Sequence, residues 1–172
     1  KSEYERLLDA AKAKSNERLY LLMQTICASG IRVSELQYIT VDAITQRKAI
    51  INCKGKMRVV ILPRELCRML TEYAKTKKIT SGAIFVTKSG KPLDRSTIWK
   101  MMKALCESAG VSKDKVFPHN LRHLFARTFY TLQKDIVRLA DILGHSSVNT
   151  TRIYTMETGE IHRKQIQKLG LL

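Results

Sequence analysis

Apolar residues recur at helical spacing along most of this chain, and this pattern constrains its fold more than any other feature. Three of the apolar stripes end at a glycine, at Gly30, Gly110 and Gly144, and glycine readily adopts the left-handed conformation that closes a helix. A fourth stripe follows Pro63, a favourable residue for opening a helix. The stripes comprise Leu19, Leu22, Met23, Ile26 and Cys27; Leu66, Met69, Leu70 and Tyr73; Ile98, Met101, Met102 and Leu105; and Ile136, Leu139, Ala140 and Leu143. They predict a mainly helical domain.

Two β-branched runs, residues 49–53 and 59–62, interrupt the helical pattern. They predict an antiparallel hairpin around residues 48–62 with a basic tip. Phe85 and Val86 are the candidates for a short third strand. The predicted fold class is therefore α+β, mainly α-helical, with a small antiparallel sheet packed at one edge. Further helices are expected from near Pro118, around residues 148–154 and at residues 161–168.

The charge balance of the chain favours a polyanionic partner. Its 172 residues include 31 Lys and Arg against 15 Asp and Glu, a formal net charge of +16, and most of the excess follows residue 50. Clustered Lys and Arg attract polyanions and release condensed counterions when they neutralise phosphates. Nucleic acid is the favoured partner. A solvated basic surface and an anionic membrane surface are the alternatives.

No apolar run approaches the roughly 18 residues that a membrane span needs, and no charged-then-apolar leader opens the sequence. We therefore expect a cytoplasmic protein with no membrane partner. The four cysteines form no CxxC pair and lie in apolar stretches, which predicts core thiols rather than a zinc ribbon. These cysteines are Cys27, Cys53, Cys67 and Cys106. Because the first residue is Lys1 rather than Met, we expect residues 1–172 to be one domain that lacks an N-terminal partner region.

The segment 118–123 reads P-H-N-L-R-H and places two phosphate-seeking side chains on one helical face. His119 and Arg122 lie three positions apart near the start of a predicted helix. Unpaired backbone N–H groups and the helix dipole also favour an anion at that end. His123 lies one position further round and is expected to pack rather than to contact a ligand. The segment is therefore a candidate anion site.

The spacing of His119 and His123 also resembles half of a zinc-binding helix. The zincin pattern H-E-x-x-H needs a Glu after the first His as general base, and Asn120 stands there instead. Arg122 would also bring a positive charge towards the cation. A zinc hydrolase with a three-histidine site completed by His145 is kept as a minor alternative.

A second polar segment follows the last apolar stripe, where residues 143–154 read L-G-H-S-S-V-N-T-T-R-I-Y. Alone, it is typical of a helix end, a capping turn and a short helix with a half-buried tyrosine. That interpretation leaves the small polar residues between His145 and Tyr154 unexplained.

Three motifs together resemble the catalytic domain of the tyrosine recombinase (phage-integrase) family. Residues 29–36 match its first arginine box as S-G-I-R-V-S-E-L, and residues 119–123 match its H-x-L-R-H box. Residues 143–155 match its L-G-H-S-S…T-T…I-Y-T box. The three motifs follow the family's order and extend over most of the chain, so the resemblance is specific.

The resemblance implies a role for each motif residue. Arg32 and Arg122 would hold the scissile phosphate. His119 and His145 would be phosphate-side or proton-handling groups, and Tyr154 would be the attacking residue.

The resemblance also implies a catalytic lysine on the β-hairpin, where the family usually has a G-K-G-x-K context. Lys54 matches this position best, and Lys56 is the alternative because Cys53 replaces the first glycine. Lys56, Arg58 and Arg152 are expected to contact DNA.

The chemistry of a phosphodiester explains why these residue types are needed. Two guanidiniums grip phosphate oxygens bidentately and stabilise the charge of the transition state, so we expect no metal and no cofactor. A tyrosine with a pKa near 10 needs a nearby proton acceptor or positive field. The departing alkoxide needs a proton, which a lysine of lowered pKa can donate.

The resemblance thus implies a site-specific recombinase, either a mobile-element integrase or a chromosome-dimer resolving enzyme. It would cleave and rejoin double-stranded DNA through a 3′-phosphotyrosyl intermediate, as a tetramer on DNA. The segment 156–172 would pack on a neighbouring protomer or on its own domain. A type IB topoisomerase-like relaxing enzyme and a DNA-binding module with an inactive site are the alternatives.

Overall fold

The computed structural model of the protein describes residues 1–53, 55–154 and 166–169, without the side chain of Cys53. The chain divides into two compact units, Lys1–Ala126 and Arg127–Leu172. The part of the chain that is described has no helix that combines the length and the apolar character of a membrane span.

The first unit consists of helices and one hairpin around a single apolar core. Helices α1 and α2 pack against each other, and α2 also packs against α4 and α5. The elements are α1 (Ser2–Ala13), α2 (Glu17–Ser29), a 3-10 helix (Val33–Tyr38), α3 (Val41–Gln46), β1 (Lys48–Cys53), β2 (Lys56–Ile61), α4 (Arg64–Thr76), α5 (Arg95–Lys103), α6 (Cys106–Ala109), a 3-10 helix (Lys113–Lys115) and α7 (Pro118–Gln133), which continues beyond Ala126.

The stripes on α2 and α4 form the helices that the sequence predicts. Helix α2 ends at Gly30, whose φ of 66° is left-handed, and α4 begins directly after Pro63. The core residues that fill these faces are almost completely buried, and they include Leu19, Leu22, Met23, Ile26, Leu66, Leu70 and Tyr73.

The third stripe, predicted as one helix up to Gly110, is divided between α5 and α6. The amide of Leu105 donates to the carbonyl of Met102, a three-residue spacing that tightens the chain. The Lys14 ammonium donates a hydrogen bond to the Ala104 carbonyl at 3.1 Å. Side-chain and 3-10 bonding thus replace the α-helical ladder at this point.

The predicted hairpin is confirmed as β1 and β2, which pair antiparallel with Ile51 opposite Arg58. Ile51 and Val60 face the core, whereas Ile50 and Val59 are exposed. The prediction of a third strand is wrong within the described residues. Val86 forms only an isolated bridge to Pro92, which has no N–H to extend a ladder, and Phe85 is a core residue instead.

The cysteine prediction is confirmed for Cys67 and Cys106, which are buried. It is wrong for Cys27, which is half-buried because it lies at the edge of the α2 stripe, where it hydrogen-bonds Tyr4. The side chain of Cys53 lies outside the description.

The second unit carries α8 (Ile136–Leu143), α9 (Val148–Thr151) and a 3-10 helix (Arg152–Tyr154). The Asp135 carboxylate accepts from the Arg138 amide at 2.8 Å and opens α8, and Gly144 at φ 66° ends it. Both predicted helical segments are therefore confirmed. The helix predicted at residues 161–168 lies outside the described residues except for 166–168.

Candidate active site

The end of α2 forms a capped turn that positions the first arginine box. The Ser29 hydroxyl donates to the Thr25 carbonyl at 2.6 Å and accepts from the Ile31 amide at 3.3 Å. With Gly30 in the left-handed conformation, the chain turns sharply away from α2. Arg32 then starts the 3-10 helix Val33–Tyr38 as its N-cap.

A buried carboxylate holds Arg32 in place. Glu35 is only 5% exposed, and it accepts from the Arg32 amide and from Arg32 Nη1, both at 2.9 Å. Arg58 on β2 donates from Nη2 to the same carboxylate. The Arg32 side chain is nevertheless 38% exposed, so the carboxylate anchors it without burying it completely.

Arg122 connects the two arginine motifs of the first unit. It is 2% exposed on α7, and its Nη1 donates to the carbonyl oxygen of Gly30. A guanidinium in such a site needs charge or hydrogen-bond partners, because burial of an unpaired charge is costly. The bond fixes Arg122 beside the turn that carries Arg32.

His119 lies at the first turn of α7, exposed, with its ring against that of His123. The two ring centroids are 4.1 Å apart and the planes meet at 70°, an edge-to-face arrangement. Partial burial lowers the pKa of His119 from 6.5, and the positive charges of Arg122, Arg95 and Arg32 lower it further. A neutral imidazole at this position can accept a proton.

Arg32, His119 and Arg122 line one cavity of about 950 Å³. Helix α5 contributes Arg95 and Trp99 to the same cavity. Neither residue was predicted from the sequence. The available signals were the basic first turn of α5 and a tryptophan, the only one in the chain, placed beside rather than within the apolar stripe.

The second unit positions His145 through a buried threonine. His145 Nδ1 and Thr151 Oγ1 are 2.8 Å apart, and Thr151 is fully buried. This bond fixes the orientation of the imidazole ring. Tyr154 is 9% exposed in the following 3-10 helix, and Arg152 is exposed.

The basic hairpin residues predicted to act on DNA are not all exposed. Lys54 lies outside the described residues, and Lys56 is exposed on β2. Arg58, predicted as a DNA contact, is 14% exposed and pairs with Glu35 instead of extending into solvent.

The zinc alternative requires a set of converging ligands. Among the residues that the structure describes, no group of three or more His, Cys, Asp or Glu side chains is arranged to hold a metal ion. His119 and His123 contact each other through their rings.

Known proteins resemble this chain in sequence and in fold. Tyrosine recombinase XerH of Campylobacter jejuni is 39% identical over 165 residues, which cover 90% of this chain and 47% of the relative. A crystal structure of XerA recombinase superposes with a TM-score of 0.77 at 31% identity, over 100% of this chain and 63% of the other. The crystal structure of a pre-cleavage complex of XerH with difH substrate superposes with a TM-score of 0.74 at 27% identity. The match covers 93% of this chain and 50% of the XerH chain.

The chain spans about half the length of the curated relatives that it matches, from 47% of XerH to 57% of XerA of Pyrococcus furiosus. Residues 1–160, nearly the whole sequence, match the phage integrase family. The motifs, the helical fold with its hairpin and the cavity lined by Arg32, His119 and Arg122 agree with that match. This chain therefore belongs to the phage integrase family.

Proposed function

We propose that this chain is the catalytic domain of a site-specific DNA recombinase that cleaves and rejoins strands through Tyr154. The observation that carries the proposal is the cavity in which Arg32, His119 and Arg122 come together. Two anchored guanidiniums beside an imidazole of lowered pKa suit a single phosphodiester. The pre-cleavage complex of the relative XerH holds its difH substrate, which supports DNA as the partner here.

In the proposed reaction, Arg32 and Arg122 hold the non-bridging oxygens of the scissile phosphate. The Tyr154 oxygen attacks phosphorus, its proton passes to His119, and the bond from phosphorus to the 5′-oxygen breaks. Lys54 donates a proton to that oxygen. His145, oriented by Thr151, donates a hydrogen bond to the phosphate.

The product is a 3′-phosphotyrosine and a free 5′-hydroxyl. One diester has replaced another, so the step needs no ATP. Attack by a 5′-hydroxyl from a second duplex gives recombination, whereas attack by the original hydroxyl restores the strand. The type IB topoisomerase-like alternative shares this chemistry without pairing two duplexes, and no comparison favours it.

Recombination requires two duplexes, for which we propose four protomers. The segment 156–172 is the proposed contact between neighbours. Ile166 and Leu169, within the described residues 166–169, are exposed, which favours packing on a neighbouring protomer over packing on the same domain. Deletion of residues 160–172 is then expected to reduce synapsis while the fold is retained. Unchanged synapsis and cleavage would contradict this role.

The proposed domain organisation follows from the length of the relatives. Residues 1–172 form the catalytic domain, and a preceding region would complete the grip on DNA. The proposed compartment is the cytoplasm. Specificity for a DNA site would come mainly from base-edge contacts, including those of the preceding region.

The experiment that tests the proposal uses a nicked suicide substrate. After cleavage, the short DNA fragment that carries the free 5′-hydroxyl diffuses away, so the strand cannot be rejoined and the covalent adduct accumulates. We expect a covalent protein–DNA adduct in the presence of EDTA. Tyr154→Phe removes the attacking oxygen and should abolish the adduct, whereas the matched change Tyr130→Phe should not. Absence of both adduct and cleavage would favour the inactive DNA-binding module, and cleavage without an adduct that is lost on chelation would favour the zinc hydrolase.

A further inference from the structure

Two large aromatic side chains line the same cavity as Arg32, His119 and Arg122. Trp99 comes from α5, and Phe117 directly precedes α7. The two rings, called here the aromatic pair, are 41% and 38% exposed, although aromatic side chains gain most from burial. A phosphate is bound through charge and hydrogen-bond donors, so it does not account for the aromatic pair.

A single lysine holds both rings of the aromatic pair. The Lys103 ammonium lies 3.8 Å from the centre of the Phe117 ring and 5.3 Å from the centre of the Trp99 ring. It also donates a hydrogen bond to the Lys113 carbonyl. Cation–π attraction therefore connects a ring on α5 to a ring at the start of α7. Rings that the protein itself holds in place lose little further freedom when a ligand stacks on them.

The cavity has the size and the charge to take a nucleotide together with its phosphate. Its volume of about 950 Å³ lies near the upper end of the range of about 300–1,000 Å³ that small-molecule sites occupy. Arg95 stands four positions before Trp99 on α5, and both line the cavity, so one face of the helix presents a guanidinium and an indole. A cation beside an aromatic ring suits a nucleotide, which has an anionic phosphate and a flat base.

The flat part of a nucleotide is its base, and a base inside a duplex has both faces covered by its neighbours. A ring in the cavity can therefore stack only on a base that has left the helix. The proposed strand exchange produces such bases, because a strand that moves to a second duplex first unpairs from its own complement. Stacking on an aromatic ring offsets the cost of unstacking.

We propose that the aromatic pair is a stacking site for an unpaired nucleobase, which belongs to one of the two nucleotides that the scissile phosphate joins. This inference rests on the proposed function and adds a base-binding subsite to the phosphate site. All four bases have a flat aromatic face, so the subsite holds the opened strand without reading its sequence.

The test removes the ring and the base separately and then together. Suicide substrates are made in which one or the other nucleotide beside the scissile phosphate is abasic, which removes the base and keeps the sugar and the phosphate. On intact DNA, Trp99→Leu should form the covalent adduct about fivefold to a hundredfold more slowly than the wild type in a single turnover. This is the size of effect that follows the loss of one ring stacked on a base. On DNA that is abasic at the stacking position, the two proteins should react at equal rates. Trp99→Phe keeps a ring and should retain most of the rate on intact DNA.

Tyr20→Leu is the matched control. Tyr20 also holds a lysine ammonium, that of Lys12 at 4.8 Å, but it lines a different cavity. This variant should match the wild type on every substrate.

A Trp99→Leu defect of the same size on intact DNA and on both abasic substrates would overturn the proposal, because the ring would then contact the sugar or only shape the cavity. Normal cleavage of intact DNA by Trp99→Leu would overturn it as well. If thermal denaturation shows that Trp99→Leu does not fold, Phe117→Leu carries the same comparison. Failure of the wild type to form an adduct with intact DNA would instead reject the proposed function.

Discussion

The guanidinium of Arg122 donates a hydrogen bond to the carbonyl oxygen of Gly30, which lies 92 positions earlier in the chain. The space beside the Gly30 Cα atom is also occupied, by the Phe125 ring. A Cβ atom at this position would lie 2.5 Å from the Phe125 ring, and the backbone φ of 66° is one that residues other than glycine rarely adopt. One glycine therefore allows the helix end, the packing of Phe125 and the placement of Arg122.

Gly30→Ala is expected to destabilise the protein more than Gly110→Ala. Both glycines end helices with left-handed φ, but a Cβ at Gly110 would meet nothing within 4 Å. The Gly110 variant should lose about 1–2 kcal/mol of unfolding free energy for its backbone alone. The Gly30 variant should lose about 1–3 kcal/mol more, because the added methyl group crowds Phe125. Urea denaturation measures both, and equal losses would contradict the steric argument.

Arg122→Lys is expected to reduce the rate of cleavage about 10²–10³-fold, the usual effect of losing one donor to transition-state charge. Lysine keeps the charge but not the planar fork that can address Gly30 and a phosphate oxygen together. Single-turnover cleavage of the suicide substrate measures the effect. Arg127→Lys, at an exposed position of the same helix, is the control. Near-normal cleavage by Arg122→Lys would refute a bidentate role.

Cleavage should persist at neutral pH and decline on the acidic side, where His119 gains a proton and can no longer accept one from Tyr154. The pKa of His119 is lowered from 6.5 by burial and then by Arg122, Arg95 and Arg32, so the imidazole is neutral above its lowered pKa and gains a proton below it. Arg95→Gln removes one of these charges, which should raise the pKa of His119 and move the acidic limb of the pH–rate profile to higher pH. Arg95→Lys should leave the limb in place. An unmoved limb in Arg95→Gln would contradict the assignment of His119 as proton acceptor.

Thr151→Val should impair catalysis without a matching loss of DNA affinity. The change keeps the buried volume but removes the hydroxyl that orients His145. A lost hydrogen bond of about 1–1.5 kcal/mol corresponds to roughly a tenfold lower cleavage rate. Thr150→Val, at the exposed neighbouring position, should have little effect on the rate. Equal rates for the two variants would show that the Thr151 bond does not matter for catalysis.

The elements that local patterning determines were predictable from the sequence. Apolar spacing and a terminal glycine define α2 and α8, and two β-branched runs define the hairpin. The division of α5 from α6 was not predictable from the apolar stripe, which continues through it. It lies where the Leu105 amide bonds the Met102 carbonyl and where Lys14, 90 positions away, bonds the Ala104 carbonyl.

The motifs contain three residues that line one cavity, Arg32, His119 and Arg122, but they do not show what holds these residues in place. Glu35 stands inside the first arginine box, yet its second partner, Arg58, comes from another element and looked like a surface cation. Arg95 and Trp99 line the cavity because the fold of the first unit brings α5 and the start of α7 to its walls. Such contacts depend on tertiary packing, which leaves no repeating pattern in the sequence.

The central claim is that Tyr154 attacks the phosphate that Arg32 and Arg122 hold. The most direct measurement is to digest the trapped adduct with trypsin and to locate the attached nucleotide by tandem mass spectrometry. Cleavage after Arg152 and Arg163 releases residues 153–163, in which Tyr154 is the only tyrosine. We expect the nucleotide on Tyr154 of that peptide, linked through its 3′-phosphate. A nucleotide on any other residue would contradict the account.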